Sequence, residues 1–176
     1  MLTARWRDVD GASLEHCAVA ISDDGVAADA VVIADTFGLR YRIACDPDWR
    51  TRAVDVELIG TARAVHLRAD GTGTWWRDGV PHPGLAGPID VDITATPFTN
   101  TLPIRRLRLN DGESRGITVV YVSVPDMTVT THGQRYTRLT GRRYRFETLA
   151  GDFTRDLDVD EHGLVVHYPG LFERVP

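Results

Sequence analysis

The sequence predicts a single all-β domain built mostly from antiparallel strands, on three observations. Apolar and polar residues alternate almost throughout. Turn signals recur between the alternating runs, at Asp24-Gly25, Asp70-Gly71, Asp111-Gly112, Gly141 and His162-Gly163. No window carries an apolar stripe at the 3.6-residue spacing of a helix. With 176 residues the chain is long enough for one domain, spanning 1–176, with a sizeable hydrophobic core. Short connections between strands favour antiparallel pairing, and helix is expected to be limited to a turn or two.

The elements follow in order. "SLEHCAVAIS" and "AADAVVIAD" are strand-like runs, and "LRYRIAC" places Leu39, Tyr41, Ile43 and Cys45 on one side. "VDVEL" does the same with Val54, Val56 and Leu58. "AVHLRADGTGTWW" reads as strand, Asp-Gly turn, strand, a strong hairpin signal. Trp75 and Trp76 are adjacent on that second strand and face opposite ways, so one packs inward and the other, Trp76, is a candidate ligand wall. "GQRYTRL", "RRYRFETL", "FTRDLDV" and "GLVVHY" complete a set of roughly a dozen strands.

"ITVVYVSV", residues 117–124, is apolar on both faces. Antiparallel strands usually keep one wet face. Either a second layer of sheet or long loops cover this one, or it lines an apolar cavity, which makes Val120 and Val122 candidate ligand contacts.

"ATPFTNTLPIRRLRL", residues 95–109, combines strand-favouring Thr, Ile and Leu with Pro97 and Pro103. A corner centred on Asn100, with its backbone satisfied by Thr99, Asn100 and Thr101, would let the flanking strands pair as neighbours. Asp92 then faces Arg108, Thr94 faces Arg106, Ile93 faces Leu107 and Val91 faces Leu109, so charge meets charge and apolar meets apolar. In that register Arg106 has polar company near Asp92. Arg105 falls on the apolar face, where it needs an internal acid or an anionic head group.

Other patterns carry less chemistry. "GESRG" matches a nucleophile motif, but here it precedes a β-branched strand and reads as a hairpin loop around Ser114. The six histidines show no metal-ligand spacing, Cys17 and Cys45 are too few for a disulfide scaffold, and no catalytic, metal or cofactor site is expected. All twenty basic residues are arginine, which reflects a GC-rich coding sequence. A net charge of −5 argues against a general nucleic-acid binder. The N-terminus has no apolar signal region and no run reaches the ~20 residues of a membrane span, so a soluble cytoplasmic protein is expected.

"TPFTNTLPIRRL", within the longer "IDVDITATPFTNTLPIRRL", resembles the signature of the bacterial putative glycolipid-binding family. "CDPDWRTR", "QRYTRL" and "GLVVHYPGLFERV" extend the resemblance over most of the chain. It implies one large, strongly curved antiparallel sheet, an incomplete barrel similar to bacterial lipoprotein carriers, with an apolar hollow. The expected function is non-enzymatic binding of a lipid or glycolipid there, with Phe98, Thr99, Asn100, Arg105, Val120, Val122 and Trp76 as ligand contacts and Asp92, Arg106 and Arg108 as structural pairs. An enzyme using Asp90, Asp92 or His66, or a protein-interaction sheet without a small ligand, stays open beside it.

Overall fold

The computed structural model describes every residue from Met1 to Pro176. Eight strands come first: β1 (Leu2–Asp8), β2 (Ser13–Ser22), β3 (Gly25–Ala34), β4 (Gly38–Cys45), β5 (Thr51–Leu58), β6 (Ala64–Ala69), β7 (Trp75–Arg77) and β8 (Val80–Pro81). Next come β9 (Asp90–Ile93) and a helix, α1 (Phe98–Leu107). The chain then returns to strands with β10 (Ser114–Ser123), β11 (Thr128–Thr140), β12 (Arg143–Thr148), β13 (Thr154–Val159), β14 (Val165–Tyr168) and β15 (Phe172–Val175).

All fifteen strands belong to one open sheet, in the order β8-β7-β6-β5-β4-β3-β2-β1-β15-β14-β13-β12-β11-β10-β9. The turns are those the sequence advertises. Asp70 Oδ1 accepts the backbone N–H groups of Thr72 at 2.7 Å and Thr74 at 3.0 Å, closing the loop between β6 and β7. Trp75 is buried with its indole N–H donating to the Pro88 carbonyl at 2.8 Å, and Trp76 lies on the opposite face of the sheet, half-buried.

The sheet curls. Its main apolar cluster joins Tyr41, Val54, Val56, Val65 and Leu67 of the first half to Val91, Ile93, Val120 and Val122, which lie at the far end of the strand order. Only a sheet rolled back on itself brings those residues together. A second cluster, with Tyr136, Phe146, Leu157 and Tyr168, lines the inner face of β11–β14. The helix bridges the two: Phe98 and Leu102 enter the first cluster and Ile104 the second.

Here the structure corrects the sequence reading. Residues 98–107 are not a strand after a corner but a ten-residue helix, longer than the turn or two expected. Thr96 Oγ1 accepts the Phe98 N–H at 3.0 Å in a local side-chain turn, and Pro97 stands at the N-cap, where its missing N–H removes no helical hydrogen bond. The antiparallel register of Asp92 with Arg108 and Ile93 with Leu107 is therefore absent. β9 pairs parallel with β10, Asp92 opposite Tyr121 and Ile93 opposite Val122. Parallel neighbours need a long crossover, and the stretch containing α1 supplies it. So the open sheet is mixed rather than purely antiparallel, and α1 packs into its hollow with Phe98, Leu102 and Ile104 in the core.

Candidate functional site

Thr96 and Asn100 of the segment 95–109, with Asp92, Ile93 and Thr94 just before it, line a cavity of about 240 Å³ on the inner face of the sheet. Asp92 projects from β9 into it, and Asn100 comes from the first turn of α1. Tyr121 of β10, His132 and Gln134 of β11, and Phe146 and Thr148 of β12 form one wall. Phe153, Tyr168, Leu171 and Phe172 close the other. Alternation dictates this wall: Tyr121 faces the cavity because Val120 and Val122 on either side face the main core.

The polar groups form one ordered chain. Asn100 Nδ2 donates to the Tyr136 hydroxyl at 2.9 Å, which lies 3.5 Å from Gln134 Oε1. Gln134 Nε2 donates to Asp92 Oδ2 at 2.6 Å, and Thr99 Oγ1 donates to Asp92 Oδ1 at 3.0 Å. Burial pushes the Asp92 carboxyl up, and these two hydrogen bonds resist the shift. Beside it the Tyr121 and His132 rings stack at 3.9 Å between centroids, 11° from parallel. Phe146, Phe153, Tyr168 and Phe172 add a chain of tilted and edge-on contacts. Directional acceptors and donors thus sit beside flat apolar faces.

The cavity does not stand alone. A groove of about 500 Å³ shares Thr94, Leu171 and Phe172 with it; Val9, Val32, Phe37, Ala95 and Val124 form its apolar wall, and Asp8, Asp10 and Asp35 also line it. Val9 and Leu171 remain exposed at its edge.

A buried network supports the helix start behind the cavity. Tyr41 donates its hydroxyl to Glu15 Oε1 at 2.5 Å, and Thr96 Oγ1 donates to the same oxygen at 2.8 Å. Burial raises the Glu15 carboxyl to about 8 against the pull of those two donors. Glu15 was not a sequence candidate, although alternation in "SLEHCAV" places it on the buried side with Cys17 and Val19.

The other candidates are dispersed. Phe98, Val120 and Val122 are fully buried in the core, not on a cavity wall. Thr99 reaches the cavity only through Asp92, and Trp76 lies at the β7 end of the sheet, lining neither cavity nor groove. Asp92 has no arginine partner. Arg108 is exposed, 3.6 Å from Asp48. Arg106 instead clasps Asp90, at 2.9 Å through Nε and 2.6 Å through Nη2. Burial raises the Asp90 carboxyl, and the Arg106 guanidinium works against that shift. Arg105 finds no acid; its guanidinium lies 5.3 Å from the centre of the Trp49 ring. Of the acid–base candidates, His66 sits on the exposed face bonded to Asp55 at 2.9 Å and Asp90 is tied to Arg106, so Asp92 alone of the three lines the cavity. Ser114 is exposed and bonds Thr137 Oγ1 at 2.8 Å.

The sequence model of the family described as "Putative glycolipid-binding" matches residues 3–174. The chain is also similar to a crystal structure of a DUF1089 family protein from Pseudomonas aeruginosa, with 39% identity, 92% of each chain covered and a TM-score of 0.80. Among curated proteins none matches the chain. No helix is long and apolar enough to cross a membrane.

Proposed function

Because the chain belongs to the putative glycolipid-binding family, we propose that it binds an amphiphile made of a sugar and an apolar chain, without chemistry. The observation that carries this reading is the adjacency of two unlike spaces: an aromatic and polar cavity and a mostly apolar groove, which share Thr94, Leu171 and Phe172 as lining residues. At about 240 Å³ the cavity is below the usual ~300–1,000 Å³ of small-molecule sites. It suits one sugar ring and is too small for an acyl chain. A sugar presents hydroxyls at its rim and C–H groups on its faces. Asp92, Asn100 and Gln134 serve the hydroxyls, and the aromatic walls serve the faces. The chain runs along the groove, where buried apolar area contributes ~25 cal/mol per Å² before the costs of binding.

Calorimetry with octyl glucoside, free glucose and octanol tests the reading. The glycoside should bind at least ten times more tightly than either part. Tyr121→Ala should weaken it about tenfold, some 1.4 kcal/mol, by removing one aromatic wall. Val9→Asp, at an exposed site, should weaken the glycoside and leave glucose unaffected. A glycoside that binds no better than octanol would remove the sugar from the proposal; no binding of any of the three would remove the proposal.

A further inference from the structure

The far end of α1 opens into a second cavity, of about 450 Å³, that the sugar reading does not use. Arg105, Arg108, Arg138 and Arg142 line it, against two carboxylates, Asp160 and Glu161. Most of these charges are already answered. Arg142 pairs with Glu161 at 3.2 Å, and Arg138 lies 2.9 Å from Asp111 and donates to the Leu109 and Gly141 carbonyls. Asp160 is neutralised by Arg174 at 2.6 Å and accepts the N–H groups of His162 and Leu164. Arg105 is the exception. It has no carboxylate partner and no hydrogen bond, and its Nε is buried without an acceptor.

The position of Arg105 is built rather than incidental. Trp49 packs against the guanidinium, and Gly163 makes room for the stem, since a Cβ there would come within 2.9 Å of Arg105 Cδ. Gly163 also has φ +80, a conformation that side chains disfavour. Trp49, Arg105, Arg138 and Gly163 come from four separate segments that meet only here. A guanidinium held by packing, with donors left over, fits an oxyanion. The negative end of the α1 dipole opposes an anion at this end, and Arg105 and Arg106 in the last turn offset it.

We propose that this cavity is an oxyanion site for a phosphate group, with Arg105 as the principal contact and Arg138 and Arg142 supplying the surrounding positive potential. The proposal is independent of the sugar cavity. Two sources share the chemistry, free phosphate and a phospholipid head group, and one experiment separates them. Inorganic phosphate is titrated at low ionic strength against the wild type, Arg105→Met and Arg142→Glu, with Trp49 and arginine Nε resonances as the readout and sodium chloride as control. Flotation with phosphatidylcholine vesicles, with and without phosphatidylglycerol, runs in parallel. Arg105→Met should fold as well as the wild type and lose at least tenfold in phosphate affinity; Arg142→Glu, at an exposed rim position, should lose several-fold. Phosphate binding without flotation identifies a free anion, whereas flotation only with phosphatidylglycerol, lost in Arg105→Met, identifies a head group. The proposal is overturned if phosphate and anionic vesicles do no more than chloride and neutral vesicles, or act equally on wild type and Arg105→Met.

Discussion

Glu15 places an acid in the main core with one oxygen, Oε2, lacking any partner. A neutral carboxyl tolerates that position better than an anion, which is why burial raises its titration from 4.5 to about 8. The sign follows from linkage. Below 4.5 both folded and unfolded chains hold the proton and Glu15 costs nothing extra; between 4.5 and about 8 the folded chain keeps a proton that the unfolded chain releases, so stability falls as pH rises. The slope approaches ~1.4 kcal/mol per pH unit. Glu15→Gln, which keeps the acceptor for Tyr41 and Thr96, should remove this slope and be the more stable protein at pH 8. Urea unfolding of both proteins at pH 5 and pH 8 measures it; the histidines are common to both, so the difference reports Glu15. A difference that does not change with pH would mean that Glu15 is ionised in the folded protein. Alternation in the sequence was enough to place Glu15 indoors. Its partners were not legible, because Tyr41 and Thr96 lie 26 and 81 residues away.

The helix shows how far local pattern reaches and where it stops. Strand alternation in "LRYRIAC" and "AVHLRA" is a local property, and the structure reproduces it in β4 and β6. In residues 98–107 the β-favouring Thr and Ile residues and the internal Pro103 read as strand and corner, and no side chain caps the helix start. The rejected register matched charge with charge by coincidence of spacing. What α1 requires is tertiary: Phe98 and Leu102 are fully buried, and that burial outweighs a proline that removes a hydrogen bond inside the helix. The charge contacts changed with it, since adjacent arginines that would oppose each other on a strand are only ~100° apart on a helix. Arg106 now locks α1 to β9 through Asp90, with side-chain exposures of 16% and 0%. Exposure that low takes the pair out of the surface class, where ~0–1 kcal/mol is usual. Arg106→Met should cost about 3–5 kcal/mol by orphaning a buried carboxylate, and adding Asp90→Asn should recover most of it. Denaturant midpoints of the two single variants and the double variant provide the cycle. A loss below ~1 kcal/mol in Arg106→Met would place the pair with ordinary surface ion pairs.

At the scale of the molecule, two apolar clusters share one helix and one continuous sheet. The two halves should therefore unfold together. Trp75 and Trp76 lie at the β7 end of the sheet, whereas Trp6 and Trp49 touch Val165 and Arg105, so in a variant with Trp6 and Trp49 replaced by Phe fluorescence follows the first half while far-ultraviolet circular dichroism follows every strand. The two unfolding curves should coincide, and separate midpoints would show two units. The order of strands has a further consequence. β1 and β15 are neighbours at the centre of the sheet, with Trp6 opposite Arg174. On the ribosome, therefore, the early strands can zip outward from β1 toward β8 while the middle of the eventual sheet is still an open flank. That flank offers unpaired backbone groups to any passing strand until residues 172–175 emerge. The seam that joins the earliest strand to the latest is the last one translation can close.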